Sequence, residues 1–313
     1  MTLVSSGQAI EAQSPSAEES ERASMTKPEG LGCKERLLDE LSSVVSAAAA
    51  AILAARRHPL EAHIKPDQSP VCAADHAAEA VILDAISRLL PGVPVISEEA
   101  TARSPLSNAP SGTFVLVDPL DGTRELLAGR DEFTVNLAIM DRAAPWLGIV
   151  AAPASGLLWR GIAGRGAERL ILPAGAPASA ATSRARIHTR KCPHSGLIAA
   201  VSRSHLDSRT LAFLTRLPVT QRLPCGSAVK FCQIAEGNAD VYPRLSTTCE
   251  WDVAAGHAVL AAAGGVVITP EGGALRYGRG DKEFRVPGFI AWGDPSAPEA
   301  LGLANFGGAP PPP

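Results

Sequence analysis

Aromatic side chains are scarce in this 313-residue chain, at 4%, with two tyrosines. A core without many large rings must be filled by aliphatic residues and by close approach of small ones. The 46% hydrophobic content, rich in alanine, supplies both. No pair among Cys33, Cys72, Cys192, Cys225, Cys232 and Cys249 has C-x-x-C spacing, and no charged-then-apolar secretory signal opens the chain. Zinc-finger and disulfide frameworks therefore lack support, and a reduced, cytosolic setting is the simplest reading, with peripheral association with an inner membrane left open. The longest apolar run, residues 44–55, is broken by Ser46 and too short to span a bilayer. Charge of neither sign dominates, at a net −3, which argues against polymeric nucleic acid as a partner. A small anionic substrate would have to be met by local donors and metal.

What is present reads as α/β. Residues 1–30 are rich in Ser, Glu, Ala and Pro and are expected to form a disordered leader, with Met25 an alternative start. Residues 301–313 end in Gly-Gly-Ala-Pro-Pro-Pro-Pro and are expected to be a disordered tail. Helical spacing of apolar residues runs from Leu37 to Leu53 and again from Ala74 to Leu89, the second helix starting at Ser69-Pro70 as cap and first position. Strands are expected at 133–140, 147–151 and 157–162. The Ala/Pro/Ser/Gly run at 173–185 marks a boundary near residue 190, dividing an α+β metal-binding domain (31–190) from an α/β substrate-binding domain (191–300). In the second, strands are expected at 197–202, 239–242, 266–269 and 288–292, with helices at 208–216, 228–236 and 252–263.

The most informative stretch is Asp118-Pro119-Leu120-Asp121-Gly122-Thr123, directly after the apolar run Thr113-Phe114-Val115-Leu116-Val117. The run reads as a buried strand that the proline stops. Both acids then point into one pocket, where they repel unless a cation sits between them. Hard divalent ions such as Mg²⁺ take oxygen ligands. Taken alone, the segment reads slightly better as a solvated turn. Two further segments change that balance: Ser97-Glu98-Glu99 after a short apolar run, and Glu250-Trp251-Asp252 opening an alanine-rich helix.

Glu-Glu, D-P-[IL]-D-G-T and W-D, in this order and rough spacing, resemble the Mg²⁺-dependent, Li⁺-sensitive sugar phosphatase superfamily that includes inositol monophosphatase and fructose-1,6-bisphosphatase. The resemblance implies the layered fold of that group. It implies two or three Mg²⁺ ions held by Glu98, Asp118, the Leu120 carbonyl, Asp121 and Asp252, with inhibition by Li⁺ and competition by Ca²⁺. It implies that Thr123 orients the attacking water with Asp75, whose segment Val71-Cys72-Ala73-Ala74-Asp75 matches a V-T-x-x-D pattern, so that Glu98, Asp75 and Thr123 are the catalytic candidates. Two departures stand nearby. Cys72 replaces the usual Thr, and Asp67-Gln68-Ser69-Pro70 replaces D-K-S-P, with Lys65 the candidate for the missing charge.

Ser202-Arg203-Ser204-His205, Gly226-Ser227-Ala228-Val229-Lys230, Tyr242-Pro243-Arg244, Trp251-Asp252-Val253-Ala254-Ala255-Gly256-His257 and Glu132-Phe133-Thr134-Val135-Asn136 resemble the bacterial 3′(2′),5′-bisphosphate nucleotidase branch of that superfamily, the CysQ type. The implied substrate is adenosine 3′,5′-bisphosphate, converted to AMP and phosphate, with the phosphosulfate 3′-phosphoadenosine 5′-phosphosulfate as a second candidate. Substrate contacts would come from Thr123, Arg203, His205, Gly226, Ser227, Lys230 and Asp252. The rival enzyme reading is inositol monophosphatase, and the rival of another class is a non-catalytic sensor of nucleotide or phosphate. Oligomeric state is not legible.

Overall fold

The computed structural model describes residues 31–303 apart from 66–67, 104–109, 111, 204–205 and 280–282. The expected leader, the tail beyond residue 303, Asp67 and His205 lie outside the described residues. The chain divides into Met1–Leu37 and Leu38–Pro313. Residues 31–37 open helix α1 (Leu31–Ala55), and every other described element belongs to the second unit. Along α1, Leu41, Val45, Ala48 and Ile52 recur at helical spacing and are fully buried, as in a core helix. By length and composition its stretch Cys33–Ala55 is apolar enough to cross a membrane, more than the shorter run read from the sequence suggested.

Strands β1 (His63–Ile64) and β2 (Pro70–Val71) pair antiparallel. Ser69-Pro70 does not start the next helix. Proline fits a strand edge, where its missing N–H is not needed, and Cys72 caps α2 (Ala73–Leu89) instead. There follow β3 (Val95–Ser97), α3 (Glu98–Arg103), β4 (Thr113–Asp121), α4 (Thr123–Leu127), β5 (Thr134–Asp141), β6 (Ala144–Ala152), β7 (Leu157–Ile162), β8 (Gly166–Ile171) and β9 (Ser183–Ile187). Strands β3 to β9 form one seven-stranded sheet in sequence order, antiparallel except for the β3–β4 pair. β9 begins inside the Ala/Pro/Ser run read as a boundary segment, where composition masks it.

The remaining elements are β10 (Leu197–Ser202), α5 (Ser208–Leu214), β11 (Val219–Cys225), α6 (Val229–Ala235), β12 (Val241–Arg244), β13 (Thr248–Cys249), α7 (Glu250–Ala262), β14 (Val266–Ile268), β15 (Arg285–Val286), β16 (Phe289–Trp292) and α8 (Ala297–Ala300). A second sheet has the order β11-β10-β12-β16-β14, parallel among the first three strands. β11, absent from the sequence reading, is a largely exposed edge strand without a buried alternation to betray it. Mixed sheets with helices give the expected α/β class.

One hydrophobic core joins both sheets, with Phe114, Met140 and Trp159 in the same cluster as Phe231, Tyr242 and Phe289. Helix α7 lies against β6 at a point where Gly148 has no side chain. A Cβ there would stand 2.4 Å from the Ala255 carbonyl oxygen and 2.6 Å from Ala258 Cβ. On the other side, a Cβ on Gly256 would meet the Phe231 ring at 2.3 Å. Small residues thus seat the helix that carries Asp252, as the aromatic-poor composition foretold.

Candidate metal centre and active site

Residues three apart on a regular strand point to opposite faces. Asp118 and Asp121 are three apart, yet both line one cavity of about 450 Å³. A bulge reconciles the two. Asp118 pairs with Asn136 and Asp121 with Thr134, so Pro119 and Leu120 together oppose Val135. The strand therefore does not stop at the proline, as expected from sequence, but runs through it to Asp121. It leaves through Gly122 at φ +106°, where a Cβ would come within 2.8 Å of Ser227 Oγ.

Glu98, at the start of α3, and Asp252, in the first turn of α7, line the same cavity. All four expected carboxylates are thus brought together. Burial, then repulsion from Glu98, Asp121 and Asp252, holds Asp118 well above the usual carboxylate range. Asp121 is pushed up to about 6 by burial and by Asp252, against the pull of Lys230, Arg244 and Asn136. Lys65 Nζ donates to Glu98 at 2.5 Å and to Glu99 at 2.9 Å. Burial works against the Lys65 charge, but the two glutamates outweigh it and hold it charged above lysine's ordinary range. Glu98 is pushed up to about 8, by burial first, with Lys65 opposing and Asp252 adding repulsion. These two shifts pull one contact in opposite senses. Lys65 stays charged throughout, and the contact becomes a full ion pair as Glu98 loses its proton at about pH 8. Lys65, the candidate for the missing loop charge, thus contacts both members of the acid pair.

Hard oxygen donors that repel one another in a buried pocket suit Mg²⁺, which would relieve the repulsion. The Leu120 carbonyl adds a neutral oxygen at the bulge. With Glu98 drawn to Lys65, and Asp252 accepting from the Thr248 hydroxyl and the Cys249 amide, no three described His, Cys, Asp or Glu side chains close tightly enough to hold an ion as they stand.

Thr123 Oγ1 donates to Asp75 Oδ1 at 2.9 Å, and Thr123 lines the cavity. The other oxygen of Asp75 accepts from the Cys72 amide at 2.9 Å and the Cys72 thiol at 3.0 Å. The thiol therefore takes the place in this contact that the expected threonine hydroxyl would have had.

Gly226, Ser227 and Lys230 also line the cavity. Ser227 adopts φ +49°, α6 begins only at Val229, and the Ser227 hydroxyl donates to the carbonyls of Asp121 and Glu132 at 2.9 and 3.1 Å. Lys230, 2% exposed, donates to the Ser227 carbonyl at 2.7 Å and lies over the Tyr242 ring. Arg203 is exposed, pairs with Glu132 at 2.8 Å and is not among the lining residues. The sequence reading gave no role to Arg244, which lines the cavity with its Nε unpartnered and feels both Asp252 and Asp121. Its signal was its place one residue beyond Tyr242-Pro243, inside a matched segment.

The chain is 38% identical over 239 residues to the 3′(2′),5′-bisphosphate nucleotidase CysQ of Escherichia coli K12, covering 74% of this chain and 88% of that protein. The crystal structure of CysQ from Bacteroides thetaiotaomicron, described as a bacterial member of the inositol monophosphatase family, superposes with a TM-score of 0.68 at 30% identity, covering 84% of this chain and 99% of that one. An inositol monophosphatase from Anabaena shares the fold at a TM-score of 0.65 and 24% identity, over 86% of this chain and 95% of that one. The profile of the inositol monophosphatase family matches residues 34–294, and the chain belongs to that family.

Proposed function

We propose that this protein is a Mg²⁺-dependent phosphatase that removes the 3′-phosphate of adenosine 3′,5′-bisphosphate, giving AMP and phosphate, and that it also accepts the related phosphosulfate. The family and its CysQ members are metal-dependent phosphatases, typically with Mg²⁺. The carrying observation is one cavity lined by Glu98, Asp118, Asp121 and Asp252 together with Lys230 and Arg244. When bound, two or three Mg²⁺ ions supply the positive charge that lets water approach a phosphomonoester dianion. Thr123, held by Asp75, orients that water, and Asp75 is the base behind the hydroxyl. Lys230 and Arg244 offer fixed cations to phosphate oxygens, in keeping with a substrate that has two phosphates rather than one. Gly226 and Ser227 form part of the cavity wall, and Arg203 and His205 are the remaining candidate substrate contacts. The metal ligands lie in residues 31–190 except for Asp252, and the cations in 191–300. A cytoplasmic location fits the free cysteines.

The test is phosphate release from adenosine 3′,5′-bisphosphate with and without Mg²⁺, beside inositol monophosphate. Faster turnover of the inositol ester would assign the rival enzyme, and binding without turnover in Mg²⁺ would assign the sensor.

A further inference from the structure

Strand β5 runs beside the acidic bulge and carries two polar side chains among fully buried neighbours. Thr134 is fully buried and Asn136 is 1% exposed, between Phe133, Val135 and Leu137, all at 0%. Asn136 stands directly opposite Asp118, and Thr134 directly opposite Asp121. Directly opposed residues of an antiparallel pair share a face. The two acids and the two neutral polar groups therefore occupy one face of the sheet, the face that opens on the cavity at Asp118 and Asp121.

Neither Thr134 Oγ1 nor either amide atom of Asn136 has a hydrogen-bond partner at full geometry. Buried polar atoms in that state disfavour the fold, and apolar residues of the same shape would relieve it. Asn136 nonetheless lies close enough to Asp121 to help lower its carboxyl. Buried polar atoms with no well-formed hydrogen bond, next to four crowded carboxylates, suit a task beyond packing. An amide adds a donor and an acceptor without adding a fifth negative charge. Mg²⁺ parts with its hydration shell reluctantly, so neutral donors and acceptors beside its carboxylates gain partners once the ion is bound.

We propose that Asn136 and Thr134 are positioning residues for the cation centre, holding Asp118 and Asp121 from the neighbouring strand in the arrangement that the ion requires. This rests on the metal reading of those two acids. It predicts a trade: the fold gives up stability for these side chains and recovers it only with the cation.

The experiment uses the full chain and Mg²⁺ alone as the probe, with calorimetric titration and thermal unfolding in chelator. Asn136→Leu and Thr134→Val remove the polar atoms at nearly constant shape. Both are expected to unfold in chelator at the wild-type temperature or higher, and to bind Mg²⁺ roughly tenfold more weakly. KM for the nucleotide should change little once Mg²⁺ is saturating. Thr134→Ser, which keeps the hydroxyl, should retain the wild-type Mg²⁺ affinity. Lowered melting in chelator with unchanged Mg²⁺ affinity would make the two residues structural and overturn the proposal. Should Asn136→Leu fail to fold, the Thr134 pair of variants decides in the same terms. Failure of the wild-type protein to bind Mg²⁺ would instead overturn the metal reading itself.

Discussion

The Cys72 thiol donates to Asp75 across 3.0 Å, on the oxygen opposite the one that receives the Thr123 hydroxyl. A cysteine thus caps a helix and, through the same carboxylate, fixes the group that orients Thr123. Cys72→Ala should lower stability by about 1 kcal/mol, the usual loss for a helix cap. It should also reduce kcat by roughly tenfold with KM nearly unchanged, because the loss falls on a proton-handling pair rather than on binding. Cys72→Thr and Cys72→Ser should restore both. Wild-type kcat in Cys72→Ala would show that Asp75 needs no help from residue 72.

The acidic centre predicts an inverted pH response in chelator. Glu98 rises from an ordinary 4.5 to about 8 in the folded protein, chiefly through burial. A carboxyl with a raised folded-state pKa binds more protons folded than unfolded, so its stabilising effect is present at low pH and is lost as pH climbs through about 8. His257 acts oppositely, since burial lowers it from 6.5 to about 4 and stability is lost as pH falls through that range. Above 6.5 His257 contributes nothing further, so the interval up to about 8 reports the acidic centre, Glu98 together with the raised Asp118. Melting temperature in chelator should fall across it, and excess Mg²⁺ should raise melting most at the upper end. Equal Mg²⁺ stabilisation at both ends would argue against an ion at these carboxylates.

Asp121→Asn keeps the shape and removes one charge from the cluster. Turnover should nearly vanish, while melting in chelator should rise because Asp118 and Asp252 lose a repelling neighbour. Near-normal activity at modest Mg²⁺ would reduce Asp121 to a turn residue.

Lys230→Ala should raise KM for the bisphosphate by the equivalent of about 1–3 kcal/mol, the scale of a charge-assisted hydrogen bond. A minimal phosphomonoester, lacking the second phosphate, should be less affected. Because Lys230 is buried and bonded to the Ser227 carbonyl, some loss of stability should accompany the change. Equal kinetic losses on both substrates would move Lys230 into the chemistry or the fold.

Residues with local patterns were legible before any coordinates. Asp118, Asp121, Glu98 and Asp252 sit in three short segments whose order and spacing together suggest a metal centre, and α1 and α2 announce themselves by helical spacing. What escaped depends on partners distant in sequence. Arg244 matters because β12 ends at the cavity, and Asn136 because β5 pairs in register with β4. β11 and β9 escaped for want of a hydrophobic alternation, one being mostly exposed and the other opening in a segment whose Ala, Pro and Ser mimic a linker. Cys72 stood only as a departure from the usual Thr, because the sequence could not show its thiol reaching Asp75.

Two acids separated by a single residue would share a face of an unbroken strand with no bulge. The extra residue at Pro119–Leu120 therefore contributes something besides direction. A regular ladder engages its carbonyls, whereas two residues facing Val135 leave one more carbonyl than the neighbouring strand can match. The Leu120 oxygen accepts from Thr123 Oγ1 at a long 3.3 Å and remains a weakly engaged acceptor in that contact. A backbone oxygen raises the coordination number of a cation while leaving the charge balance of the pocket untouched. In a centre that already carries four carboxylates and must still admit a phosphate dianion, a fifth anionic ligand would repel the substrate. A peptide carbonyl would complete the shell of the proposed ion without that opposition.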